Sequence, residues 1–527
     1  MKNKKGFTLY ELIAVIAIIV IILGIAIFAI VSIVGTSSRS SFEENAQLIL
    51  KAIYYKEVSD STFDPSAVNE KNIDSLLDVK AEGYKTITVK VLNDDTYITI
   101  VGNGKWDGLT ASGTSTNINI EDSVISFSNG ANAPVLSSGM TPIKWNGSSW
   151  VTTTIDDTDW YNYTTTDKKW ANAKTDDGSM WVWIPRFIYR IKSGWHLAST
   201  GEIEVQFSKG IDDNWNKADI GNINLDPTSN ASNNTWTNHP AFTFGATELT
   251  GIWVGKFEAS SNTPNAVNGG GNDTSLYVKS VPNVASWRSI SIGNIFTVVR
   301  GMENNLVYGF AQKDNDIDTH MMKNIEWGAV TYLSQSIYGK NDELWINNDS
   351  TYTTGCAGDS VSAIYNRGCL NSYNTTDGMK ASTTGNIYGI YDMSGGAYEY
   401  VAGYFATGHS YLSQNGSSIL GSNSKYKNVY QGYKSYIDVR ESTLSSKGDA
   451  MYETSIGAWY DGASWVGKET SWNNDYSYYP YYACPWLIRG GNYSYSQNGG
   501  VFNYTCTIGS SHVAYGFRPV IIINQDF

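Results

Sequence analysis

The chain has 527 residues, a net charge of −13 and a sequence pI of about 4.9. That acidic balance argues against nucleic-acid binding, which needs a basic face, and the length allows about three domains. Only 17% of residues are charged while 13% are aromatic, including 18 Trp and 36 Tyr, so the surface is expected to be polar, weakly charged and loop-rich.

Lys2, Lys4 and Lys5 form a short basic leader that ends at Gly6, and the run from Phe7 to Gly35 is apolar apart from Glu11. No further charge follows Glu11 until Arg39, a span longer than the roughly 20 residues a helix needs to cross a bilayer. A secretory signal peptide would have a shorter apolar core and a small-residue cleavage site after it; this segment has neither. The lysines predict that the leader stays cytoplasmic and that the bulk of the chain lies outside. A lone Glu in such a segment costs about 2.5–3.5 kcal/mol unless it is paired. A cut between Gly6 and Phe7 supplies the partner, because it frees an α-amino group with a pKa of about 8. Glu11 then lies four residues from its own Phe7, or beside the amine of a neighbouring copy, which would register subunits in a filament.

These residues resemble a known family. KKGFTLYELIAVIAI is similar to the N-terminus of type IV pilins and pseudopilins. The resemblance implies that a prepilin peptidase cuts after Gly6, that Phe7 is N-methylated, and that Glu11 guides assembly with other pilin subunits. Tyr10 stands where the family usually has an aliphatic residue. The implied location is a single pass through the inner (cytoplasmic) membrane, followed by an extracellular pilus or the cell surface.

Past the apolar run, Phe42, Ala46, Ile49, Ile53 and Tyr54 recur at helical spacing, with Ser41 and Glu44 as a candidate capping box. Asp64–Pro65 ends this pattern. The segment YKTITVKVLNDDTYITIVGNG predicts a hairpin of two β-branched strands around Asn93–Asp94–Asp95, and NINIEDSVISFSNG adds strand-like pieces. The expected division is a leader at 1–6, a pilin helix with its transmembrane half at 7–58 and a small β head at 59–133. A Pro/Ser/Gly linker at 134–142 and a large domain at 143–527 complete it. The fold class is α+β.

In the large domain MWVWIPRFIYRI reads as a buried strand followed by an edge segment, and GIWVGKFEAS as another strand. THMMKNIEWGAVTYLSQSIYG reads as a helix with Met322, Ile325, Ala329, Tyr332 and Leu333 on one face and Gly339 as C-cap. The four cysteines allow three pairings; closing short loops, the economical one is Cys356–Cys369 with Cys484–Cys506. No zinc-type Cys/His spacing occurs. Paired acids such as Asp156/Asp157 and Asp94/Asp95 read as solvated turns.

GNIYGIYDMSGGAYEYVAGY (385–404) and WLIRGGNYSYSQNGGVFNYTCTIGSSHVAYGFRPV (486–520) come in order after WVWIPRF, WVGKFEAS and EWGAVTYL. Together they resemble the formylglycine-generating enzyme (sulfatase-modifying) family, which has a C-type-lectin-like fold. Enzymatic members bind copper through two cysteines, at positions held here by Tyr495 and Gly500. Soft copper(I) needs sulfur, so formylglycine-generating activity is not expected and no catalytic residue is assigned. The resemblance also implies a calcium site at Asp392, Glu399 and the carbonyls of Gly395 and Ala397; the alternative is that Glu399 pairs with Arg489 or Arg518.

The same fold without catalytic cysteines serves as a binding domain in variable proteins of diversity-generating retroelements and related adhesins. The resemblance implies that ligand contacts come from Tyr493, Tyr495, Gln497, Asn498, Asn503, Tyr504, Ser510, His512 and Tyr515. Tyr offers rigid contact area and Asn and Ser adaptable hydrogen bonds. The expected function is a minor, tip-located pilin-like adhesin that displays a non-catalytic lectin-like domain to an extracellular glycan or protein ligand. The alternatives are a pseudopilin-like component of a secretion or DNA-uptake machine and a residual enzyme of the sulfatase-modifying family.

Overall fold

The computed structural model describes residues 40–523 apart from 123–129, 214–235, 311–316, 432–446 and several shorter loop stretches (61, 81–82, 93–94, 103–105, 107–108, 115–116 and 461–462). Gly6, Phe7, Glu11 and the apolar run therefore lie outside the described residues. So do Asn93–Asp94 of the expected hairpin turn and most of the insertion after Tyr430. Among the described residues no helix is long and apolar enough to cross a membrane. The chain is α+β and divides into two compact units, Met1–Ser128 and Asn129–Phe527.

In the first unit residues 40–59 are helical. The 3.6-residue period turns Phe42, Ala46, Ile49, Leu50 and Ile53 to one buried side. Tyr54 falls off that face and is exposed. Ser41 lies within the helical run, and its carbonyl accepts from the Asn45 side chain, so the expected capping box does not start the helix there. Asp64 caps a short 3-10 turn over Pro65–Ala67, with its carboxylate accepting from the Ser66 N–H. Tyr84–Leu92 and Asp95–Gly102 form the antiparallel hairpin, with Leu92 opposite Asp95. Leu109–Thr114 and Asn117–Asp122 extend it to four strands in sequence order. The helix face packs on inward residues Ile87, Val89, Ile98 and Ile100, with Phe42 and Tyr84 against Trp106.

The second unit is built on an antiparallel seven-stranded sheet. Its order is Ile317–Met321, Pro519–Ile523, Gly251–Gly255, Met180–Pro185, Asn172–Thr175, Met140–Trp145 and Trp150–Thr152. Met140–Trp145 is thus a sheet strand, and the expected linker at 134–142 is not a separate connector. The Trp253 indole donates to the Val135 carbonyl, the Trp183 indole donates to the Asn132 carbonyl, and the Asn132 side chain donates to the Gly210 and Thr250 carbonyls. Buried indole N–H groups need acceptors, and this stretch supplies them. Phe187–Ser193 lies between Glu202–Phe207 and Thr237–Asn238 in a three-stranded sheet, so it is a central strand and not the expected edge.

The helix in EWGAVTYL spans Asn324–Ser334 and is buried on every side. Lys323 caps its N-terminus, the Glu326 carboxylate accepting from the Lys323 N–H at 2.7 Å. Gln335 ends it, and Met322 and Gly339 lie outside it. It packs against Glu202–Phe207 and against Tyr398–Phe405. Each fully buried aromatic such as Trp327 or Tyr332 contributes about 1.5–3 kcal/mol.

Tyr398–Phe405 belongs to a second, mixed sheet. Trp486–Gly490 pairs antiparallel along one edge and is followed by Gly500–Thr507. Asn428–Tyr430 and Tyr515–Phe517 pair parallel with successive halves of the same strand. The buried Lys256 ties this part to the seven-stranded sheet, its ammonium donating to Asn172 Oδ1 and to the Ile387 and Gly389 carbonyls, each at 2.8 Å.

Candidate functional site: a tyrosine-lined face

Two loops leave the ends of the mixed sheet side by side. Arg489–Gly490–Gly491 ends one strand, and both glycines adopt positive φ, 84° and 72°. A Cβ at Gly491 would stand 2.7 Å from the Gly499 Cα, so glycine is required for the loop to fold back on itself. Asn492 then accepts from the Ser494 N–H and hydroxyl, an Asx turn that lifts Tyr493 and Tyr495. The Tyr493 N–H donates to the Gly396 carbonyl, and Ser496–Asn498 closes the loop as a 3-10 turn. The second loop carries Ser510, His512 and Val513 into Tyr515–Phe517. Its Ser510 carbonyl accepts from the Tyr400 hydroxyl at 2.6 Å, and its His512 ring nitrogen accepts from the Ala514 N–H.

Tyr398 joins the two loops. Its ring meets Tyr495 at 5.3 Å and Tyr515 at 5.9 Å, both edge-to-face, a geometry that aromatic quadrupoles favour. Tyr515 also contacts Tyr400 and lies 4.2 Å from the His512 ring. Tyr476 extends the row from Tyr495, and Tyr478 extends it from Tyr476. On the other flank Tyr493 meets Tyr352 at 5.0 Å and Tyr365 at 6.3 Å.

Of the nine residues expected to bind ligand, Gln497, Asn498 and His512 are exposed, and Tyr493, Tyr495, Ser510 and Tyr515 are half-buried on this face. Asn503 and Tyr504 do not belong to it: both are fully buried. They sit in Gly500–Thr507, and the Tyr504 ring turns inward onto Tyr479 with its hydroxyl 2.6 Å from Ser455 Oγ. The Asn503 amide donates to the Asn498 carbonyl and shapes the loop from beneath. Sequence reasoning missed Tyr352, Tyr365, Tyr398, Tyr476 and Arg288. The density of Tyr around 476–482 was a usable signal, and Tyr398 lies inside the motif at 385–404; the other three come from distant parts of the chain, with no local pattern.

Arg288 lies under the face. Its guanidinium stands 3.8 Å from the Tyr352 ring centroid, and Nη1 donates to the Val513 carbonyl. Only 8% of the residue is exposed, and Nε has no hydrogen-bond partner. The Tyr398 hydroxyl, also buried, has none either. Burial pulls the Arg288 pKa down from its ordinary value and pushes that of Tyr398 well up.

Cys356 and Cys369 are joined by a disulfide, with their Cα atoms 5.5 Å apart. The loop they close sets Tyr365 beside Tyr493, and the Ser496 hydroxyl donates to its Ser362 carbonyl at 2.6 Å. The expected second disulfide is not formed. Cys484 and Cys506 are free thiols that hydrogen-bond to one another, and burial raises the Cys506 pKa well above its usual value.

The residues implied for calcium do not fit a cation. The Asp392 carboxylate accepts from the Gly355 and Glu258 N–H groups and the Asn347 amide. Glu399 forms a two-pronged ion pair with the buried Arg518 guanidinium. The Ala397 N–H is turned to Glu258, whose carboxyl is pushed well up by burial beside Asp392. Gly395 packs on the Asn347 backbone, which a Cβ would approach to 2.4 Å. A calcium ion needs free oxygens, and these are already held by N–H donors and a fixed cation. Among the described residues no group of three or more His, Cys, Asp and Glu is arranged to hold a metal. The copper-thiolate positions are equally unsuited. Tyr495 packs half-buried against Tyr398 and Tyr476, and a Cβ at Gly500 would stand 2.3 Å from the Asp475 carboxylate.

Compared with known proteins, residues 1–27 match the family model of the prokaryotic N-terminal methylation motif. The chain therefore has a type IV pilin-like N-terminus, which implies a prepilin peptidase substrate, membrane anchoring and then pilus assembly. No curated protein matches the chain.

Proposed function

We propose that the chain is a minor, tip-located pilin-like adhesin whose second unit is a non-catalytic, C-type-lectin-like receptor of the formylglycine-generating-enzyme type. The observation that carries this reading is the convergence of Tyr495 and Tyr515, from two separate loops, on Tyr398, with His512, Gln497 and Asn498 at the rim. Rigid aromatic area with adaptable amides around it is the composition of recognition surfaces. A large domain on every subunit would crowd a fibre, which favours a minor subunit. Tyr495 and Gly500, in place of the two copper thiolates that the resemblance would require, favour binding over catalysis. The test is a screen of filament-bearing cells against glycans and surface proteins. Tyr495→Ala and His512→Ala should abolish any hit while the unfolding midpoint is kept. Capture that survives both substitutions would exclude this face as the receptor.

A further inference from the structure

Three of the five histidines accept a backbone N–H two residues along through Nδ1: His239 from Ala241 at 3.2 Å, His409 from Tyr411 at 3.1 Å and His512 from Ala514 at 3.2 Å. An amide N–H can only donate, so the ring that makes this bond is neutral and carries its proton on Nε2. A second proton goes to Nδ1, where it faces the N–H donor to donor, and the bond is lost. His239 is buried and its pKa is pulled down to about 3, so its bond is kept at any ordinary pH. His409 caps the helix Ser410–Leu420. His512 is exposed on the tyrosine-lined face, where solvent protons reach it.

The turn that His512 closes carries part of that face. The His512 carbonyl accepts from the Tyr515 N–H at 3.1 Å and from the Ser289 N–H at 3.0 Å. The Ala514 carbonyl accepts from the Tyr398 N–H at 2.9 Å, so the residue whose N–H the imidazole holds also anchors Tyr398. The imidazole lies 4.2 Å from the Tyr515 ring, which meets Tyr398 and Tyr400. Arg288 donates through Nη1 to the Val513 carbonyl, one residue from His512. A charge gained at His512 therefore arises in a turn that already holds a cation, and like charges repel. The Tyr515 ring attracts an imidazolium, which offsets part of that repulsion and does not restore the hydrogen bond.

Resting on the receptor reading above, we propose that His512 is a pH switch of the face: neutral, it closes the turn that presents Tyr515, and protonated, it opens the turn and releases the ligand. Histidine changes charge between pH 5 and 8. The neutral ring makes the bond, so capture is full at the alkaline end of that window and is lost as pH falls through it. The neighbouring groups keep this direction. Arg288 stays a cation throughout, and burial raises the Tyr515 and Tyr400 phenols and the Cys506 thiol, which stay protonated. Glu258 acts on Arg288, and burial raises its carboxyl as well; a change at His512 alone separates the two.

Hydrogen–deuterium exchange of the full chain in detergent micelles tests the turn without a ligand. Mass spectrometry follows the peptic fragment around 508–517, with rates corrected for the intrinsic effect of pH. Its protection should fall about two- to tenfold from pH 7.5 to pH 5.5, the share of one ordinary hydrogen bond, while the strand Gly251–Gly255 keeps its own. His512→Asn supplies an oxygen that accepts the same N–H without titrating, so protection should be kept and the pH response should vanish. His512→Ala should lack the protection at both pH values. The glycan and surface-protein panel, run on filament-bearing cells at the two pH values, gives the second readout. Capture by the native chain should weaken by up to about tenfold per pH unit, the slope of a single proton, and whatever capture His512→Asn retains should be level. Protection that ignores pH, or a pH response that survives in His512→Asn, would overturn the inference. Hits held equally at both pH values but lost in Tyr495→Ala leave the receptor standing without its switch. If nothing is captured, or Tyr495→Ala changes no capture, receptor and switch fall together.

Discussion

Gly500, which the proposed resemblance to the formylglycine-generating family sets at a copper-thiolate position, offers a sharp test of how the second unit is packed. A methyl group there would stand 2.3 and 2.4 Å from the two Asp475 oxygens, more than an ångström inside ordinary contact. The carboxyl cannot retreat freely. Oδ2 accepts from the Phe502 N–H at 2.8 Å, and the Asp475 carbonyl is held by the Ser471 N–H and hydroxyl. Overpacking of this kind costs about 1–3 kcal/mol, and loss of the Phe502 hydrogen bond adds about 0.5–1.5 kcal/mol. Gly500→Ala should therefore destabilise the second unit by about 2–4 kcal/mol. Asp475→Ala should cost about 1–3 kcal/mol, because it strands the buried Phe502 N–H. In the double variant the methyl group introduced by Gly500→Ala occupies the space the carboxylate leaves, so its loss should fall short of the sum by at least about 1 kcal/mol. Urea unfolding followed by tryptophan fluorescence measures all three. Strict additivity, or a neutral Gly500→Ala, would refute the packing argument. Gly500→Cys meets the same carboxylate and should neither stabilise the unit nor bind copper.

Burial pushes the Asp449 carboxyl up to about 7, against about 4 in the unfolded chain. Between those pH values the folded form holds the extra proton, so this group makes stability fall as pH rises from 4 to 7, by up to about 1.4 kcal/mol per pH unit. Asp449→Asn should flatten that slope in urea midpoints taken at pH 5 and 7.5. Opening the Cys356–Cys369 loop by Cys369→Ser should cost about 3 kcal/mol by the loop-entropy relation, and a thermal melt with and without reductant should show the same loss in the native chain. Tyr504→Ala should cost about 3–5 kcal/mol as a core truncation while Gln497→Ala stays within about 0.5 kcal/mol. If the two unfold alike, the inward placement of Tyr504 is wrong.

Local rules carried the reading of the first unit a long way. Alternating β-branched residues placed the hairpin, and helical spacing placed the face of Phe42, Ala46, Ile49 and Ile53, because both are short-range consequences of backbone period. Tyr54 fell off that face because its position in the turn, and not its apolarity, decides burial. The boundary reading failed at Asn132, at the end of the expected head, and at Val135, in the expected linker, for a different reason. Pro, Ser and Gly mark loops, but the acceptors that buried Trp183 and Trp253 require come from these backbone carbonyls, and composition carries no trace of that demand. In the face, the loop ends announced themselves through R-G-G and G-F-R. Alternation along Gly500–Thr507 could have warned that Asn503 and Tyr504 belong to a packed strand. Tyr352 and Tyr365 meet Tyr493, and Arg288 stacks on Tyr352, across separations in the sequence that no window spans. Glu399 was legible as an acid in a specific motif, but only the fold decides that Arg518 and not a cation neutralises it.

The account begins with a chain that is processed and carried outward by a pilin-like N-terminus, and the mass of that N-terminus tests it most directly. Protein taken from the sheared filament fraction should start at Phe7 and carry one added methyl group on its amine, and Glu11→Ala should deplete it from that fraction while the membrane fraction keeps it. A chain that still begins at Met1, with the Gly6–Phe7 bond intact in the sheared material, would contradict the account.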